Sequence, residues 1–247
     1  MKAKYLIFML LIFSVSFAIT ASVNAKTIKV SGVISKIDGK RAFIRYGKKW
    51  RKLRVNNKIY NGVEIKTGKN TRVIIKFLDN SELRIAQKSK ILIEKAFVKS
   101  PENRKITAKL LLGKLWAKVT KSKFKKRNFF VKTDNATAGV RGTSFGVSLN
   151  GKNSIVSLYT GSIDVTPAKK EKNKKIDMRN YDKRKRREVS GPKEVSLKKW
   201  KQIVLKQMQR VIISDNGDME LMDIIPEEEL KDEWVAWNSK LDKELEK

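Results

Sequence analysis

The chain has 247 residues, with 57 Lys plus Arg against 25 Asp plus Glu, a formal net charge of +32, and neither His nor Cys. Without Cys there is no disulfide framework, thiolate nucleophile or Cys-ligated metal. Without His there is no Ser-His-Asp triad and no imidazole proton shuttle. Any catalysis would have to run on carboxylates, Lys, Tyr or a hard-metal site. No cofactor or metal site is expected.

The first 25 residues read as a secretory leader. Lys2 and Lys4 precede an apolar run from Tyr5 to Ile19, and Val23-Asn24-Ala25 offers small residues for cleavage after Ala25. A membrane-spanning helix needs about 20 apolar residues, more than this run supplies. The expected product is therefore periplasmic or secreted. An uncleaved anchor is the alternative.

Residues 26–167 read as many short strands separated by turn residues. In Thr71 to Leu78, the residues Val73, Ile75 and Phe77 fall on one face. Glu82-Leu83-Arg84-Ile85 alternates in the same way across Asp79-Asn80-Ser81, a tight-turn sequence. Further strand segments lie at 91–93, 106–112, 115–119, 129–131, 144–149, 155–159 and 163–165. Turns are expected at Asp38-Gly39, Asn61-Gly62, Thr67-Gly68, Gly113, Asn150-Gly151 and Gly161. Short strands at this cadence argue for an all-β sandwich, barrel or solenoid.

Residues 168–192 form a basic insertion. The stretch 169–188 alone has 11 Lys or Arg against 4 acidic residues, with Lys183, Arg184, Lys185, Arg186 and Arg187 consecutive. Additional strands are expected over 193–225, including 194–197 and 203–213, before the turn Asp215-Asn216-Gly217. Residues 226–247 have helical periodicity: Leu230, Trp234, Trp237, Leu241 and Leu245 make one stripe, with Pro226 at the start. Glu227, Glu228 and Glu229 suit the helix N-terminus, and Lys240, Lys243 and Lys247 its C-terminus.

Residues 28–166 resemble the FecR domain, a bacterial envelope module. The resemblance rests on several segments in order. Leu53 to Asn57 stands for an L-x-x-G-D turn, Asn61 to Gly68 for G-D-x-I-x-T-G, and Asp79-Asn80-Ser81 for D-G-S. Leu111 to Leu115 follows as a leucine-and-glycine segment, then Thr133 to Phe145 containing V-x-G-T-x-F, and Tyr159 to Val165 as the closing strand. Asn replaces Gly at 56 and 80; Asn also tolerates positive φ. The resemblance implies an all-β fold and an envelope location. The family's best-known members are sensors that span the inner membrane and bind a sigma factor through a cytoplasmic N-terminal domain. Here only Met1 to Lys4 precede the apolar run, so the resemblance does not carry that route over.

Three candidate sites follow. Arg141, in Ala138 to Thr143, could bind an anion bidentately, or the segment could be a turn closing the core. Lys183 to Arg187 could bind an anionic polymer, or be a solvated insertion. The Leu230, Trp234, Trp237 and Leu241 stripe could contact a partner or a lipid interface, or dock on the protein itself. Charge favours docking on the protein: residues 214–247 hold 12 acidic and 4 basic residues, whereas 26–213 hold 51 basic and 13 acidic. An acidic helix is attracted to a basic body and repelled by anionic lipid.

Glu64, Asp79, Glu82 and Glu94 show no spacing that pairs them for catalysis. Asp215 to Asp218 lacks a calcium loop's ligand pattern. The expected activity is non-enzymatic binding or scaffolding in the cell envelope. The partner would be an anionic envelope polymer or an acidic protein; nucleic acid is a poor partner for an exported chain. The alternative is a membrane-anchored regulator of FecR type.

Overall fold

The computed structural model describes residues 30–100, 102–123, 128–140, 142–168 and 203–245. The leader, Arg141 and the cationic run Lys183 to Arg187 lie outside these, as does the strand expected at 194–197.

The described chain is all-β with a C-terminal helical segment. Its strands are β1 (Gly32–Asp38), β2 (Ala42–Tyr46), β3 (Lys49–Lys52), β4 (Lys58–Ile59), β5 (Val63–Thr67) and β6 (Arg72–Phe77). Next come β7 (Glu82–Ile85), β8 (Lys90–Val98), β9 (Arg104–Leu112), β10 (Lys114–Lys118), β11 (Phe129–Lys132) and β12 (Ala136–Val140). Last are β13 (Ser144–Asn150), β14 (Asn153–Thr160), β15 (Ile163–Pro167), β16 (Ile203–Leu205), β17 (Gln209–Ile213) and β18 (Met219–Asp223). They form two nine-stranded sheets. The first has the order β18-β17-β14-β13-β10-β7-β6-β1-β4, and the second β16-β15-β12-β11-β9-β8-β5-β2-β3.

The chain winds between the two sheets. The pairs β6–β7, β13–β14 and β17–β18 lie in the first sheet; β2–β3, β8–β9, β11–β12 and β15–β16 lie in the second. Pairing is antiparallel except that β11 runs parallel to β9. Side chains along the strands point alternately between the sheets and outward. Val73, Ile75 and Phe77 of β6 are all inward and buried. Phe77 meets Phe129 of the opposite sheet edge to face, with centroids 6.1 Å apart. Truncating either ring should cost about 3–5 kcal/mol.

Residues 203–213 are two strands, not one. Met208 takes a positive φ of 58° between β16 and β17, and the chain crosses there from the second sheet to the first. Leu205, Val211 and Ile213 join the same core as the strands before residue 168, so β16 to β18 extend the sandwich.

The Asn substitutions in the turns are accommodated by left-handed backbone, with φ 66° at Asn56 and 64° at Asn80. The Asn80 turn is pinned by Asp79, which accepts from the Ser81 hydroxyl at 2.8 Å and pairs with Arg104 of β9. Arg104 also donates to the Thr120 carbonyl at 2.8 Å, tying the second sheet to the segment leaving β10.

The C-terminal segment is two helices: α1 (Pro226–Glu229) and α2 (Glu233–Glu244). The break follows from local capping. Asp232 has extended backbone and its side chain accepts from the Trp234 amide, so a new helix starts there. Leu230 therefore falls between the helices, and it and Leu245 are more than half exposed.

Candidate functional site

The outer face of the first sheet is where helix, aromatic residues and buried charge meet. Arg84 of β7 and Trp116 of β10 point outward from neighbouring strands and are opposite each other in register. An outward Arg should reach water, yet Arg84 is 0% exposed. Helix α2 covers it.

The residues of α2 that face the sheet are Trp234, Val235, Asn238 and Asp242. Of the apolar stripe read from the sequence, only Trp234 lies on this face. Trp237 is partly buried and Leu241 half-buried, while Leu230 lies outside the helix. The polar residues of the contact face serve Arg84. Its Nε and Nη2 donate to Glu82 at 3.0 and 2.8 Å, and Nη1 donates to the Asn238 carbonyl at 3.1 Å. Nη1 also lies 2.8 Å from the Asp242 carboxylate. Asp242 in turn accepts from the Trp116 indole N–H at 3.1 Å. A buried guanidinium is tolerated only with such partners. Signals for these positions existed in the sequence, but in weak form: Asn238 and Asp242 follow Trp234 at four-residue intervals, a polar continuation of one helical face.

Aromatic packing extends the contact. Trp116 stacks on Tyr159 of β14 at 4.3 Å, and Trp234 on Trp237 at 5.3 Å. The Arg72 guanidinium sits 5.1 Å from the Trp237 ring and pairs with Glu233. Two more ion pairs fasten the ends: Lys114 to Asp232 at 2.8 Å, and Arg210 to Glu229 at 2.6 Å. The acidic tail thus docks on the basic body.

Beside the helix runs a groove of about 380 Å³, bounded by Trp116, Ser148, Ser157, Tyr159, Arg210 and Glu229 among others. Burial and the Glu229 carboxylate push the Tyr159 hydroxyl upward from its ordinary pKa. It stays protonated and donates to Glu229 at 2.7 Å. This is a positioning role, since a phenol held neutral beside a carboxylate is no base.

The carboxylates considered for catalysis are spoken for. Glu64 is held by Arg45 and Lys90, Asp79 by Arg104, Glu82 by Arg84, and Glu94 by Lys132. Burial opposes the ionisation of Glu64, but hydrogen bonds from Arg45 and Lys90 outweigh it and hold its carboxyl below the usual range. Asp215 to Asp218 makes the turn between β17 and β18, with Gly217 at φ 87°. Among the described residues, no group of three His, Cys, Asp or Glu could hold a metal ion.

Residues 63–164 match the family model described as FecR protein. The chain contains a FecR domain. The matched stretch runs from β5 to β15, and thus includes Arg84, Trp116 and Tyr159. The strands β1 to β4 and β16 to β18 flank the FecR domain at the two ends of the same sheets, and α2 covers it. No curated protein matches the sequence. Two crystal structures of a candidate anti-sigma factor from Parabacteroides distasonis resemble the chain, each with 16% identity and a TM-score of 0.44. The match covers 65% of this chain and 59% of those chains, so this chain spans less than two thirds of their length.

Proposed function

We propose that the chain is a FecR-type signalling regulator of the bacterial cell envelope that works by binding and not by chemistry. The FecR match over residues 63–164 carries this reading. The fate of the carboxylates supports its non-enzymatic side: those weighed for catalysis serve as partners of Arg or Lys, with none left paired for acid–base work. The leader-like start, with Lys2 and Lys4 before Tyr5 to Ile19, supports export before folding. Among the described residues no helix is long and apolar enough to cross a membrane.

A second reading, a scaffold held on anionic envelope material, is favoured by the net charge of +32. Crosslinking of the full chain in intact cells separates the two. A regulator should yield one discrete protein adduct that persists in high salt. Recovery of anionic polymer alone, released as the Debye length shrinks from about 10 Å at 0.1 M to about 3 Å at 1 M salt, would favour the scaffold.

A further inference from the structure

Helix α2 covers the first sheet. The outer face of the second sheet carries no described helix, and its side chains can be placed from the strand register. One row across it reads Trp50, Arg45, Glu64, Leu92, Lys109, Lys132. A parallel row reads Lys52, Phe43, Lys66, Lys90.

Two features distinguish this face. Lys66 stands directly opposite Lys90, whereas Lys109 and Lys132, also opposite each other, are each paired with a carboxylate, Asp134 and Glu94. Like charges in register across a sheet are destabilising. The second feature is how the cations are held. The Lys66 ammonium lies 4.4 Å from the Trp50 ring centre and 5.3 Å from that of Phe43, and the Arg45 guanidinium lies 5.0 Å from Trp50. Lys90 approaches the same indole at 5.8 Å. An aromatic ring fixes a cation in place without neutralising it, which a carboxylate would do. Glu64 cancels only part of the charge, holding Arg45 and, at 3.2 Å, Lys90. The result is a preorganised positive cluster on the outer face of the second sheet.

We propose that this face, centred on Lys66, Lys90, Arg45 and Trp50, binds an anionic polysaccharide. Lys66 and Lys90 stand in register on adjacent strands, which are about 4.8 Å apart. That spacing suits an extended polymer bearing one acidic group per sugar ring, laid across the strands. The ring faces near Lys66 and Arg45 are occupied by those cations, which leaves little platform for the base stacking that single-stranded nucleic acid uses. This inference stands independently of the signalling role.

The test uses the full chain and alginate, a polyuronate, with neutral dextran, polyglutamate and single-stranded DNA as comparisons. Alginate should bind, neutral dextran should not, and polyglutamate and DNA should bind more weakly than alginate. Lys66→Glu with Lys90→Glu should weaken alginate binding by about tenfold or more. Lys36→Glu with Lys76→Glu makes the same charge change on exposed positions of the first sheet, and should weaken it by less than about threefold. If the reversed pair fails to fold, Lys66→Gln with Lys90→Gln serves, with a smaller loss in the same direction. Trp50→Leu, which leaves net charge unchanged, should also weaken binding. Equal losses from both charge-reversed pairs would mean diffuse attraction and overturn the site. Polyglutamate or DNA binding as tightly as alginate would overturn the assignment to a polysaccharide.

Discussion

The Trp116 indole N–H donates to Asp242 at 3.1 Å, across 126 residues of sequence. This bond joins the middle of the FecR domain to the last turn of α2. Asp242 is also a partner of the wholly buried Arg84. Removing the carboxylate leaves the indole donor unpaired and takes away one of the two carboxylates beside the guanidinium, while Glu82 and the Asn238 carbonyl still hold Arg84. Asp242→Ala should lower stability by about 1–3 kcal/mol, read as a fall in melting temperature. A shift within the noise of a surface substitution would mean that α2 is not an integral part of the fold.

The Asp79–Arg104 pair is buried on both sides. Asp79→Ala leaves Arg104 charged in the core and should cost about 3–5 kcal/mol. Adding Arg104→Met should recover part of that loss, because the unpaired charge is gone. A double-mutant cycle reads the coupling directly. Additive losses would show that the two side chains do not depend on one another.

Gly113 has φ 81°, and a Cβ there would lie 2.2 Å from the Ser89 hydroxyl oxygen. Ser89 also accepts from the Lys114 amide, so it has little freedom to move. Gly113→Ala should destabilise by about 1–3 kcal/mol. Asn80→Gly, at a turn that already takes φ 64°, should be close to neutral. Urea titration of the two variants should separate them clearly.

Asp232 gives a pH dependence. Burial opposes its ionisation, but Lys114 and the Trp234 amide outweigh burial and hold the carboxyl below the usual range. A depressed acid contributes fully above its unfolded value of about 3.9, and the contribution is lost as pH falls through the lower folded value. Asp232→Ala should cost about 1 kcal/mol at neutral pH. The gap in melting temperature between the two proteins should narrow below about pH 4. A gap that widens on acidification would contradict the sign of this shift.

The sheets were legible because their signal is local. Val73, Ile75 and Phe77 alternate whatever their partners are, and Asn56 and Asn80 announce turns by their tolerance of positive φ. The helix contact face was harder to read. Periodicity favours apolar stripes, so it picks out Leu230 and passes over Asn238 and Asp242. Their burial depends on Arg84, which lies 154 residues before Asn238, and no short-range pattern reports that. The cationic face of the second sheet was hidden for a similar reason. Composition gave the charge, but only the register sets Lys66 beside Lys90 and Trp50 over Arg45.

The most direct measurement of the proposed role is a transcript profile of cells lacking the chain, set against the same cells with it restored. A FecR-type regulator should change a defined set of transcripts on deletion, and the full chain should reverse that change. An unaltered profile under conditions where the protein is abundant would contradict the signalling role.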